Sequence, residues 1–244
     1  MKTWLISAVA VAVFTGPALA APPSSWTGPY GGFAGGLGWG SSNQTDPGIP
    51  VAPPPPPPPP PPAPPPDLDG KYSVFGGAVG GTAGYNWQIN QWVFGAEGDF
   101  SWANIGGQSN ACGTGGVPPH ACGARLDDLV TFRGRIGYAP NRGEWLFYAT
   151  GGLAAGELRA WDYFTPASGN AFRPGWTVGG GIEAEFAPRW SVKLEYLFVN
   201  LGRAQLFNVA PGVAETVSFN ANIVRVGVNY NFAPVASAPV VTKY

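Results

Sequence analysis

Five carboxylates on alternating positions of extended segments are the residues best placed to do chemistry: Glu97 and Asp99, Glu183 and Glu185, and Glu195. Acids two positions apart on a strand point the same way, and such a pair is the minimum for general acid–base work. Four bases, Arg133, Arg135, Lys193 and Arg225, fall on the same phase of neighbouring segments. Buried charges persist when paired, so an acid facing a base reads as structure rather than catalysis. The expected pairs are Asp99 with Arg133, Glu97 with Arg135, Glu183 with Lys193 and Glu195 with Arg225. The remaining ingredients of an active site are missing. The chain has one histidine, His120, which removes the usual triads, and no GxSxG, SxxK or HExxH motif occurs. Cys112 and Cys122 flank His120 in a Gly- and Pro-rich segment. In an exported chain the expectation is a disulfide within one loop. Two free thiols, or a metal held by both cysteines and His120, are the alternatives, and no fourth ligand is evident. No cofactor is predicted, and the protein is expected not to be an enzyme.

The elements that carry these charges are strands. In Gln91 to Trp102, QWVFGAEGDFSW, one alternating set is Trp92, Phe94, Ala96, Gly98, Phe100 and Trp102. The other is Val93, Gly95, Glu97, Asp99 and Ser101. A period of two means a strand whose faces see different surroundings. In a soluble sheet the aromatic face would be buried; in a membrane barrel it meets lipid and the acids face the lumen. Indoles collect at both membrane–water interfaces, and a Trp at each end of the stripe favours lipid. About eleven residues, tilted by about 40°, span roughly 28 Å, close to a hydrocarbon core.

Met1 to Ala20 has a charged start at Lys2, an apolar stretch over Ile6–Phe14 and a small-residue cleavage site ending at Ala20. This is the pattern of a secretory signal. No other run has the length of a spanning helix, so membrane insertion would use strands, closed so that every backbone group is paired. Eight strands are predicted, over Tyr30–Gly40, Tyr72–Gln88, Gln91–Trp102, Leu126–Ala139, Glu144–Arg159, Trp176–Phe186, Trp190–Gly202 and Phe219–Phe232. Residues 41–69, holding Pro53–Pro62 and Pro64–Pro66, form a polyproline excursion that cannot join a ladder. Long loops are expected over Ala103–Ala124, Trp161–Arg173 and Arg203–Val217. Tight turns are expected around Asn90, Pro140 and Pro188. Residues 233–244 read as a periplasmic tail. Long and short connections alternate, which is the topology of an eight-stranded antiparallel up-and-down transmembrane β-barrel, here over residues 21–232.

Composition agrees. Only 11% of the residues are charged, against about 25% in ordinary soluble domains, while 14% are aromatic. A lipid-solvated exterior needs few charges. The formal net charge of -1 gives no basic footprint, so nucleic acid is not a predicted partner.

The blocks WTGPYGGFAGGLGWG, NWQINQWVFGAEGDF, FRGRIGYAP, EWLFYATGGLAAG and GWTVGGGIEAEFAPRWSVKLEYLFVNLG, with the closing NIVRVGVNYNF, resemble porin-family outer-membrane β-barrel proteins of Gram-negative bacteria. That group comprises small major surface antigens, some of them hemin-binding. The resemblance implies a structural or surface role in the outer membrane, contact with outer-membrane lipids and insertion by the barrel insertion machinery. It implies no defined substrate. The family's last strand usually ends the chain at an aromatic residue; Phe232 fits that place, yet twelve residues follow it. Four functions fit the residues. The first is an envelope barrel whose lumen is filled by ion pairs. The second is a small diffusion pore. The third is a surface protein binding hemin or a host or phage component through external loops. The fourth is a soluble calyx with aromatic faces turned inward.

Overall fold

A computed structural model describes residues 26–45, 70–112, 120–140, 144–163, 167–210 and 213–232. The expected signal segment with Ala20, the polyproline run, the turn at 141–143 and the tail lie outside the described residues. Eight strands are described: β1 (Gly28–Thr45), β2 (Lys71–Ile89), β3 (Trp92–Cys112), β4 (His120–Tyr138), β5 (Trp145–Asp162), β6 (Ala167–Ala187), β7 (Trp190–Ala210) and β8 (Val213–Asn231). Each pairs antiparallel with its sequence neighbour, and β1 pairs with β8, so the sheet closes on itself. The register starting at Tyr30, followed once around the barrel, meets β1 again at Gly40, ten residues further along. That stagger corresponds to a strand tilt of roughly 40°.

Sidedness follows the alternation. Phe33 is 77% exposed and Val226 52%, whereas Arg133 and Lys193 are 0% exposed. Phe94, Phe132, Leu153 and Val192 face outward too, while Glu97, Asp99, Arg135, Glu183, Glu195 and Arg225 are buried in the lumen. An inward-facing aromatic lining, as in a soluble calyx, is thereby excluded. Trp87, Trp92, Trp145 and Trp190 lie outward beside the tight turns, and Trp39, Trp102 and Trp176 form a second outward belt. Trp92 and Trp102 are ten residues apart on β3. At the tilt above the belts stand about 25 Å from each other, the height of an outer-membrane apolar band. The turn at Asn90 uses a left-handed backbone, φ 55°, and Arg189 does the same at 70° after Pro188. Asn tolerates that region better than other residues with a side chain.

Three expected loops are corrected. Most of 103–124, 161–173 and 203–217 continues the strands, and Ser41–Thr45 extends β1. These extensions rise above the upper belt, where the exterior is water and the barrel needs an apolar filling. Their inward residues supply it: Ile105, Leu126, Leu158, Leu201, Val217 and Phe219 belong to one buried cluster. Register shifts between Trp102 and Ile105 on β3, and between Leu126 and Val130 on β4, interrupt the alternation.

Candidate functional site in the barrel lumen

The lumen is filled in three layers. At the tight-turn end, Trp26 sits in the mouth and packs with Val93, Ala139 and Leu146. Its backbone N–H donates to Gln88 Oε1 at 2.8 Å, and Gln88 N–H donates to Thr27 Oγ1 at 3.0 Å. These bonds tie the segment before β1 to the end of β2. The ionic layer lies above. The apolar cluster of Ile105, Leu129, Leu197, Phe219 and Ile223 closes the top.

In the ionic layer Arg133 holds three carboxylates. It contacts Glu97 Oε1 closely, and meets Asp99 Oδ2 at 2.7 Å and Glu195 Oε1 at 3.1 Å. Arg225 donates from Nε to Glu195 Oε2 at 2.6 Å and from Nη2 to Asp99 Oδ2 at 3.1 Å. Lys193 donates to Glu97 Oε2 at 3.0 Å, and Arg135 donates to Glu183 Oε2 at 2.9 Å. The Arg135 guanidinium lies 4.0 Å from the ring centre of Tyr148 and 5.6 Å from that of Tyr30. Tyr30 donates to Glu97 at 2.8 Å and Tyr148 to Glu195 at 2.9 Å. Ser191 and Asn229 donate to Glu183 Oε1 at 2.6 and 2.7 Å, and Thr131 donates to Asp99 at 2.6 Å. Four acids thus face four bases with most hydrogen-bonding positions filled, the condition under which buried charge is tolerated.

The eight expected ion-pair residues are brought together, with altered partners. Glu97 pairs in register with Arg133 and Asp99 with Thr131, so the expected ladder is two residues out, although the expected ion pair of Asp99 with Arg133 is made at 2.7 Å and Arg135 lies 3.9 Å from Glu97. Long side chains hid the error, since Arg133 reaches both acids. Arg135 crosses the lumen to Glu183. Lys193 stands opposite Glu183 in the ladder, as expected, yet its ammonium turns to Glu97. Glu195 and Arg225 pair as expected. Glu185 is outside the layer and accepts Arg189 N–H at the turn, 3.3 Å away. Tyr30, Tyr148, Thr131, Ser191 and Asn229 were not singled out as site residues. Their phase was the available signal: Tyr30 shares its alternation with Ala34 and Gly36, the inward set.

Cys112 and Cys122 are joined by a disulfide linking the tips of β3 and β4. The pairing removes both thiolates that a metal site would need. His120 instead meets Asp162 on β5, Nε2 to Oδ2 at 2.7 Å. Asp127 accepts from Arg125 Nε at 2.5 Å, and the Arg159 guanidinium stands 3.1 Å from its other oxygen as an ion pair. Among the described residues no group of three His, Cys, Asp or Glu side chains is placed to hold a metal ion.

A closed barrel with an apolar, tryptophan-belted wall and its charges enclosed is a transmembrane β-barrel of the outer-membrane class. Among the described residues no helix is long and apolar enough to cross a membrane, so the crossing is made by strands. The chain belongs to the family described as "Outer membrane protein beta-barrel domain", which matches residues 6–232. It is 38% identical over 165 residues to the 31 kDa outer-membrane immunogenic protein of Brucella melitensis, covering 64% of this chain and 67% of that one. It is 31% identical over 162 residues to a 22 kDa outer membrane protein of Rhizobium leguminosarum, covering 65% and 66%. It is 28% identical over 218 residues to the 25 kDa outer-membrane immunogenic protein of Brucella abortus, covering 88% and 84%. The solved barrel of Neisserial surface protein A aligns with 83% of this chain and 97% of that one, at a TM-score of 0.39 and 13% identity, too distant to bear on function. The protein is an outer-membrane β-barrel protein.

Proposed function

We propose that the protein is a non-conducting barrel of the cell envelope that holds its outer rim at the cell surface and performs no catalysis. The observation that carries this is the layered lumen. A neutral ion layer is enclosed between an apolar cork at Trp26 and an apolar plug of Ile105, Leu197 and Phe219. An ion entering from either side would shed its water against hydrocarbon before meeting compensated charge. The names of the 31 kDa and 25 kDa relatives, outer-membrane immunogenic proteins, favour surface display. Outer-membrane lipids are the partner of the belted wall. The aromatic end of β8 at Phe232 suits reading by the barrel insertion machinery. Any ligand, hemin or a host or phage component, would be taken by the external loops rather than the lumen. Nucleic acid is not a partner in this reading. Single-channel recording on the purified barrel in planar bilayers is the test. Silence at the leak level is expected, and steady conductance would replace this reading with that of a diffusion pore.

A further inference from the structure

The inward residues repeat across the barrel. Along the ladder, Tyr30 on β1 stands opposite Gly84 on β2, which stands opposite Glu97 on β3, then Arg133 on β4, then Gly152 on β5. Starting from β5, the same row recurs as Tyr148, Gly181, Glu195, Arg225 and Gly36. Each residue also performs the same task in both rows. Each tyrosine donates to the glutamate of its own row, and each arginine pairs with that glutamate. A Cβ on Gly84 would lie 2.6 Å from Tyr30 Cζ, and one on Gly181 would lie 2.8 Å from Tyr148 Cζ. A Cβ on Gly152 would lie 2.8 Å from Arg133 Cα, and one on Gly36 would lie 2.6 Å from Arg225 Cα. The outer face repeats as well. Trp92 precedes Glu97 by five residues and Tyr138 follows Arg133 by five; Trp190 and Tyr230 stand in the same relation to Glu195 and Arg225. The two Trp–Tyr pairs are opposite in register and meet edge-on, with centroids 5.6 and 4.9 Å apart.

We propose that the barrel consists of two equivalent four-stranded modules, β1–β4 and β5–β8, and that the ion layer is the interface by which they recognise each other and close. The distribution of charge carries the second step. The first module brings Glu97, Asp99, Arg133 and Arg135, and the second brings Glu183, Glu195, Lys193 and Arg225, so each is balanced by itself. Every base nevertheless reaches an acid of the opposite module: Arg133 to Glu195 at 3.1 Å, Arg135 to Glu183 at 2.9 Å, Lys193 to Glu97 at 3.0 Å and Arg225 to Asp99 at 3.1 Å. Arg135 and Lys193 make no carboxylate contact under 3.5 Å within their own module. Their charges are satisfied only when the β4–β5 and β8–β1 seams are both formed. An open eight-strand sheet leaves them without partners, and a sheet closed one residue out of register turns them toward lipid.

Two cysteine pairs in the full chain test this. Phe33→Cys with Val228→Cys spans the β8–β1 seam, and Ala83→Cys with Gly98→Cys spans β2–β3 inside one module; both pairs are opposite in register. Refolding into lipid vesicles with a short thiol cross-linker reads each junction separately. In an Arg135→Met/Glu183→Gln background, which removes one acid and one base, the seam cross-link is expected to form at least tenfold more slowly. The β2–β3 cross-link should keep its parent rate. Thr177→Val, which deletes its bond to the Phe198 carbonyl inside the second module and touches none of the ion-layer residues, should leave both rates unchanged. If the double variant never completes the barrel, a β2–β3 cross-link without a seam cross-link supports the proposal. Equal slowing at both junctions, no slowing at either, or loss of both overturns it.

Discussion

Replacing Arg133 by methionine puts the ionic layer to its hardest test. The side chain is 0% exposed and touches Glu97, Asp99 and Glu195. Methionine fills much of the same volume, so the loss is one of charge and hydrogen bonds more than of packing. Removing one member of a buried ion pair costs about 3–5 kcal/mol, because the partner stays buried without compensation. Three carboxylates lose a donor here, but tripling the cost would be wrong. Glu97 keeps Lys193, while Asp99 and Glu195 keep Arg225. The expected loss is therefore a single penalty of about 3–5 kcal/mol. Arg125→Met provides the contrast. That side chain is 39% exposed in its pair with Asp127, and such pairs contribute about 0–1 kcal/mol. Denaturant titration of the barrel in lipid vesicles, followed by tryptophan emission and by heat-modifiable gel migration, measures both. A third variant isolates charge: Arg133→Met/Glu195→Gln restores neutrality and should be more stable than Arg133→Met alone. A cost below about 1 kcal/mol for Arg133→Met, or a double variant that only adds a second loss, would refute a layer held by charge compensation.

Gly84→Ala should destabilise the barrel by about 1–3 kcal/mol, because the new methyl meets the Tyr30 ring. Gly98→Ala on the lipid face, where the nearest atom to a Cβ is 3.8 Å away, should be neutral in the same titration. Removing the disulfide with Cys112→Ser/Cys122→Ser releases a closure of ten residues and should cost up to about 3 kcal/mol. Hydrogen exchange should then rise at least tenfold at the β3 and β4 tips and stay unchanged at Phe94 and Phe132; uniform acceleration would show the link to be global. Trp26→Ala should admit water to the ionic layer from below yet leave planar bilayers silent, since the upper plug remains. A conducting Trp26→Ala barrel would show that the upper cluster does not seal.

Strand count, closure and the identity of the lumen charges were legible because lipid and lumen impose opposite preferences on alternate positions. Trp92 to Trp102 carries that signal, and Trp190 to Tyr196 repeats it. Pairing was less legible. Alternation fixes a face and not a register, and an arginine reaches across a step of register, so matching Asp99 to Arg133 looked as good as the true ladder. Contacts across the lumen, Arg135 with Glu183 and Lys193 with Glu97, join residues 48 and 96 positions apart and depend on the barrel's stagger. No local pattern contains that quantity.

The expected loops failed for a different reason, and β8 displays it most plainly. From Val224 upward in number, the apolar residues Val224, Val226, Val228 and Tyr230 take the outward phase, with Arg225 and Asn229 inside. Below Val224 the phases exchange. Phe219, Ala221 and Ile223 are buried in the lumen, and Ser218, Asn220 and Asn222 take the outward phase. The change falls between Ile223 and Val224, and on β7 between Tyr196 and Leu197, which pair in register with Val224 and Ile223. A strand whose greasy side switches at one height has crossed from lipid to water outside while its interior has gone from ionic to apolar. The expected strands run through this switch, to Gly202 on β7 and Phe219 on β8; what passes for a loop is 203–217 beyond it, where register shifts after Asn200, Gln205 and Asn208 break the alternation. With the switch allowed, the same residues describe a second storey. β3 continues ten residues past Trp102, which at the barrel's tilt carries the wall roughly 25 Å beyond the upper tryptophan belt. That storey is filled like a soluble barrel and tied at its tip by Cys112–Cys122. The part of the molecule above the upper tryptophan belt is therefore a braced wall with an apolar filling of its own.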